Sequence, residues 1–159
     1  MQPSDLQLLK EYDVWATAKI LEQAAKLTPE QFTTVPEGGY NSVRDTLVHT
    51  MSTEYGWRTG WQTHERVPGL DPNDFPTCEA IAERWRVEDQ VTRDYLAGVS
   101  AADLADDFAG VGPLGMTITH VMMHGMQHRT EAAMMLTAYG YSPGDIDLVF
   151  YLMELAGEK

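Results

Sequence analysis

The chain has 159 residues with 24 acidic and 11 basic side chains, a formal net charge of −13. That length suits one domain, residues 1–159, whose core needs no disulfide staple. The charge argues against a broad grip on nucleic acid or anionic lipid, where Lys and Arg supply the binding energy. The single cysteine, Cys78, excludes an internal disulfide and a cysteine-only metal cluster.

The N-terminal stretch carries acids early and has no basic n-region, so it does not read as a signal peptide. No window is long and apolar enough to span a membrane. The expectation is a cytoplasmic protein with no membrane or nucleic-acid partner.

Helical periodicity dominates the rest. Leu6, Leu9, Tyr12, Ala16, Ile20 and Leu27 mark a first helix over about 5–26, with Ser4 and Gln7 spaced as a capping box. Thr28-Pro29 offers a cap and an N1 proline for one short turn over 29–32. Ser42, with Asp45 three residues on, starts a second helix that Leu47, Val48, Met51 and Trp61 carry to about His64. Residues 67–76 hold three prolines and a glycine, a connection too long for a hairpin between antiparallel helices.

Thr77 caps a third helix ending near Gly98, with Ile81, Trp85, Val91 and Leu96 on its apolar side. Residues 103–115 read as irregular. A fourth helix covers about 116–138 and stops at Gly140; a short amphipathic helix follows over 145–155. No stretch alternates like a strand, so no sheet is expected. The fold class is all-α: a four-helix bundle plus a short C-terminal helix. The long link between helices two and three implies a crossover and an up-down-down-up order.

His120, His124 and His128 lie at spacing four in THVMMHGMQHR. Neighbours at that spacing stack on one helix face and can present two imidazoles to one ion. Over eight residues the face drifts by about 80°, so one adjacent pair suits a single metal better than all three. His49, mid-helix among Leu47, Val48 and Met51, is the candidate third ligand if helices two and four are neighbours. The bland alternative is that these histidines bind no metal and pack in the core.

Four segments in order across nearly the whole chain then carry a resemblance: YDVWATAKIL, NSVRDTLVHTMSTEYGW, THVMMHGMQHRTEAAMML and PGDIDLVFYLME. The sequence resembles the DinB / YfiT-like family of helical-bundle metalloenzymes. The resemblance implies the bundle with its crossover, a homodimer, and a divalent metal on a histidine triad. By motif position the ligands are His49 of TLVHT and the pair His124 and His128; His120 is not normally one. Some members use a low-molecular-weight thiol in transfer or isomerisation, and many have no known activity.

Where the family shows Asn after Trp-Ala, this chain has Thr17; where it shows Gly-Gln after His-Arg, this chain has Thr130 and Glu131. Glu131 shares the face of His124 and His128, and three roles stay open for it: a hydrogen bond to a ligand imidazole, a fourth ligand that closes the site, or a solvated carboxylate. Arg129 is read as orienting a carboxylate, as carrying a negative substrate group, or as a salt bridge to helix two or the tail helix.

Three neutral imidazoles with an open position suit Zn²⁺ or Ni²⁺, with Co²⁺ and Fe²⁺ as alternatives. The functional reading is a metal-dependent enzyme, a thiol-dependent transferase or a hydrolase that activates thiol or water on a small-molecule substrate. The competing reading is a non-catalytic bundle in which the ion ties two helices together. Cys78 reads as incidental. The six helix-four methionines, Met116, Met122, Met123, Met126, Met134 and Met135, read as core packing or as an apolar pocket wall beside the metal, with helix-one aromatics opposite.

Overall fold

The structure, a computed structural model, describes residues 1–157. Four long helices form it: α1 (Pro3–Ala24), α3 (Val43–Thr63), α4 (Cys78–Gly98) and α5 (Leu114–Ala138), with short α2 (Pro29–Thr33) and α6 (Leu148–Leu155).

The capping chemistry sets most boundaries. The hydroxyls of Thr28, Ser42 and Thr77 each accept from the backbone N–H three residues on, satisfying a donor that the first helical turn leaves free. Helix α1 departs from expectation. It begins at Pro3, a residue that suits N1, and the Gln2 N–H donates to Asp5 Oδ2 at 2.9 Å. Gln7 instead reaches the Leu96 carbonyl at 3.2 Å. Helix α5 is stopped by Gly140, just past its end, whose φ of +87° lets the Tyr141 N–H return to the Leu136 carbonyl at 2.9 Å. The tail helix starts at Leu148, later than expected, because residues 140–146 stay extended or turned after that stop.

Cross-helix contacts give the directions. His49 and Trp61 of α3 meet His124 and Thr117 of α5, so these helices are antiparallel. Glu11 and Leu21 of α1 meet Arg93 and Cys78 of α4, also antiparallel. Glu54 and Arg58 of α3 meet Trp85 and Glu88 of α4, so this pair is parallel. The order is up-down-down-up. A parallel α3–α4 pair requires residues 64–77 to run back along the bundle. A 21-residue helix is about 31 Å long, and fourteen linking residues reach roughly 46–50 Å at most. The Leu70 N–H on Ser52 Oγ at 2.8 Å and the buried Phe75 hold this link against α3.

The expectation of no sheet needs one correction. Asp107–Phe108 pairs antiparallel with Gly112–Pro113, a two-residue ladder turned by Ala109 and Gly110 at positive φ. Two residues per strand are too few to show alternation in a sequence.

The apolar core is divided. One cluster centres on Ile20, Val48, Met51, Ile81, Trp85 and Leu136; the other on Leu6, Trp61, Leu96, Ile118 and Val121. Between them lies a layer of buried charge. Lys10 Nζ stands 3.0 Å from Asp13, 3.1 Å from Glu54 and 2.9 Å from Asp89, and Arg129 pairs with Asp13. Glu88 binds Arg58 and Arg84. The layer ties all four long helices together. Gly125 is part of it: a Cβ there would stand 3.0 Å from Arg129 Nη1 and 3.1 Å from Asp13 Oδ1. Helix α6 lies on α1, where Tyr12 donates to the Ile146 carbonyl and the Trp15 indole donates to Glu154.

Candidate metal centre

Two helices position the imidazoles. On α5 the buried register runs Ile118, Val121, Gly125, Arg129, Ala132 and Leu136. His124 and His128 each sit one residue before a member of that register, at the edge facing α3. On α3 the buried run Leu47, Val48 and Met51 fixes the rotation, and His49 emerges at the solvent edge of the same groove.

The three rings converge. His124 Nε2 lies 3.2 Å from His49 Nε2 and 3.1 Å from His128 Nε2. All three offer a ring nitrogen within 4.8 Å of the others. Two nitrogens each about 2.0–2.1 Å from one ion, at angles between octahedral and tetrahedral, stand roughly 2.8–3.4 Å apart. The spacing therefore fits three ligands around one ion. One proton can bridge two of these nitrogens, but it leaves the third lone pair facing the others without a donor, so the donor set itself fits a cation.

The electrostatics of His124 and His49 favour the ligand form. Burial, with His128 and His49 close by, pushes His124 down to about 4. Burial and the His128 ring also lower His49. Neutral imidazole is the form that binds metal.

Glu131 Oε2 accepts from His128 Nδ1 at 2.7 Å. This contact is on the ring nitrogen remote from the triad, so it fixes the tautomer that leaves the Nε2 lone pair free. The Glu131 carboxylate does not join the convergent set. His120 also stays apart, with its ring 6.3 Å from that of His124 and 5.7 Å from that of Trp57.

Arg129 is not at the site. It is 2 % exposed and paired with Asp13 of α1. It does orient a carboxylate, but a core one. Neither helix two nor the tail helix supplies its partner, and it reaches no substrate position. Cys78 is buried, its Sγ donates to the Leu21 carbonyl at 3.4 Å, and burial beside Glu79 pushes its thiol up to about 11, so it stays protonated.

The methionine expectation is corrected in part. Met122 and Met135 are partly buried and pack against the two core clusters, as expected, whereas Met116, Met123, Met126 and Met134 are exposed. Met116, Met123 and Met126 border an open depression of about 680 Å³ beside His124, built from α5 alone. The helix-one aromatics do not join it, because Tyr12 and Trp15 pack on Tyr151 of α6.

The sequence reading missed a second convergent set, Asp13, Glu54 and Asp89. The Lys10 ammonium already occupies its centre. The signal was present in the register: Leu6, Lys10, Asp13, Thr17 and Ile20 follow the 4-3-4-3 spacing of one buried stripe, with charge where apolar residues belong.

Fold and site together define a four-helix bundle carrying an inter-helical histidine triad that can hold a metal ion. Residues 1–158 match the DinB family, and the chain belongs to that family. No curated protein matches it.

Proposed function

We propose that this chain is a metal-dependent enzyme, a thiol-dependent transferase or a hydrolase, holding one divalent ion on His49, His124 and His128. Zn²⁺ or Ni²⁺ is the foremost choice, with Co²⁺ and Fe²⁺ as alternatives. A free, buried Cys78 and no long apolar helix among the described residues accord with a cytoplasmic location. The observation that carries the proposal is the placement of Glu131 on His128 Nδ1, which leaves a three-ligand set at a solvent-facing groove.

An ion held there supplies a Lewis acid that draws a bound thiol or water toward its deprotonated form near neutral pH. The residues supply the rest. Glu131 holds the His128 ring in orientation. His49, at the open edge of the groove, leaves the approach from solvent clear. The exposed methionines offer adaptable apolar contact to a small molecule entering beside His124. The second reading, an ion that only ties α3 to α5, draws on the origin of the ligands from those two helices.

Ligand exchange separates the readings. With Co²⁺ in the site, a small neutral thiol shifts the visible absorption spectrum if a position is exchangeable. An unchanged spectrum at saturating thiol in the wild type, restored to responsiveness by Glu131→Gln, would mean that Glu131 closes the site and that the metal is structural. In the open site Glu131→Gln instead lowers metal affinity about 10–100-fold, as loss of an outer carboxylate does; competition with a chromophoric chelator measures it.

The proposal includes a homodimer. The exposed apolar residues of α5 and of α6, Val149, Phe150, Leu152 and Leu155 among them, are more than isolated surface side chains. Sedimentation at micromolar concentration is expected to give twice the mass of one chain. A monomer there removes the dimer from the proposal.

A further inference from the structure

The buried charge layer takes no part in the metal centre, and charge is divided unevenly within it. Three carboxylates, Asp13, Glu54 and Asp89, surround two cations, Lys10 and Arg129. Glu88 takes both Arg58 and Arg84, so the positive surplus lies in that outer trio, where Arg84 is partly open to solvent, and Arg93 pairs with Glu11. The central group is one positive charge short. An uncompensated charge at this depth is costly, and a carboxyl group there neutralises by taking a proton.

Geometry selects the carboxyl: Asp89 Oδ1 also lacks an aligned hydrogen bond but stands 2.9 Å from the Lys10 ammonium. Asp13 is held by both Lys10 and Arg129. Glu54 Oε2 accepts from Lys10 and from the Trp85 indole, while Glu54 Oε1 is buried with no partner; the Glu54 side chain is 8 % exposed. Glu54 also borders a cavity of about 20 Å³ beside Lys10, Asp13 and Thr92, enough for about one water.

We infer that the layer is a proton-binding site, with Glu54 Oε1 carrying one proton in the native protein at and below neutral pH. The proton comes from solvent and returns to it, so no other reactant is needed.

The groups acting on Glu54 are Lys10 and Asp13 on α1, Trp85 and Asp89 on α4, and Arg129 on α5; Arg58 of its own helix and Glu88 of α4 pair with each other, and Arg93 of α4 acts on Asp89. Burial pushes Glu54 up, Lys10 opposes, and Asp13 and Asp89 add to the rise, with the outcome about 7. Burial raises Asp89 as well, again opposed by Lys10. Glu54 touches none of the triad.

The unfolded value of a glutamate is about 4.3, so the native state binds this proton more tightly than the unfolded chain does. Its stabilisation is fully present below about 4.3 and declines as pH rises toward 7 and above. The decline is up to tenfold in the unfolding constant per pH unit, because one proton is linked.

The test is infrared difference spectroscopy of the whole protein between about pH 5.5 and 8.5. A carboxylic-acid C=O band is expected at the lower pH, lost on titration with a midpoint near neutrality. Labelling the glutamates with ¹³C should shift it, and labelling the aspartates should not; this holds whether or not a variant folds. Glu54→Gln should abolish the band and flatten the pH dependence of unfolding relative to wild type, while Asp89→Asn should keep the band. No acid band in the wild type at pH 5.5, a band that shifts with labelled aspartate, or a band surviving in Glu54→Gln overturns the inference.

Discussion

Asp13→Ala is expected to destabilise the fold by about 3–5 kcal/mol, the loss that follows when one member of a buried ion pair is left without its partner. Asp13 is 3 % exposed and accepts from both Lys10 and Arg129. Without it the Arg129 guanidinium keeps one neutral contact, Thr17 Oγ1 at 3.4 Å, and stays buried. At about 2–4 °C per kcal/mol for a chain of this size, the melting temperature falls by roughly 6–20 °C. Lys26→Ala, which removes an exposed pair with Glu22, is the control and moves stability by less than about 0.5 kcal/mol. The pH dependence has a definite sign. Burial alone would raise Asp13, but Arg129 and Lys10 outweigh it and hold the carboxyl below its ordinary value. Its stabilisation is therefore present above the unfolded value, near 3.9, and is lost as pH falls through the native value. Scanning calorimetry from about pH 2.5 to 7 reads this. A wild-type acid limb that persists unchanged in Asp13→Ala would count against the pair as its source.

The second large effect is on metal. His49→Ala, His124→Ala and His128→Ala should each lose most of the bound ion, and His120→Ala should keep it, because only the first three place a ring nitrogen in the convergent set. Elemental analysis of protein purified without a histidine tag measures this. Equal loss from His120→Ala would overturn the assignment. Affinity should fall with falling pH as protons compete for the imidazoles. The lowered His49 and His124 values put the onset of that competition below the 6.5 of a free imidazole at these two rings. Binding that stays flat from pH 8 to 5 would indicate carboxylate ligands.

The bundle and the triad were legible in the sequence for different reasons. Cap residues are local chemistry, so Thr28, Ser42 and Thr77 marked their helices from sequence alone. The prolines of residues 67–76 announced a crossover because a hairpin needs no such length. The spacing of His120, His124 and His128 announced a candidate pair, but not which two. Geometry separates them: His120 lies toward Trp57 and His128 toward His49. The role of Glu131 could not be read from sequence, since sharing a helix face with His128 does not say which ring nitrogen the carboxylate meets. Arg129 was misplaced because an arginine beside a ligand suggests the site, while one residue on a helix turns a side chain by about 100° and carries it into the core. The methionines misled similarly, since apolar character alone does not distinguish a core face from an exposed one. The charge layer was overlooked because single charged residues in a helix read as solvated, and only their register with Leu6 and Ile20 reveals their burial.

The central claim is an open three-histidine metal centre. X-ray absorption spectroscopy of the metal-loaded, untagged protein tests it most directly. The expected result is one ion per chain with three imidazole nitrogens at about 2.0–2.1 Å and at least one further light-atom ligand that sulfur replaces when a small thiol is added. A site completed by a fourth protein ligand and unaltered by thiol, or protein that retains no divalent ion when supplied with Zn²⁺, Ni²⁺, Co²⁺ or Fe²⁺, would contradict it.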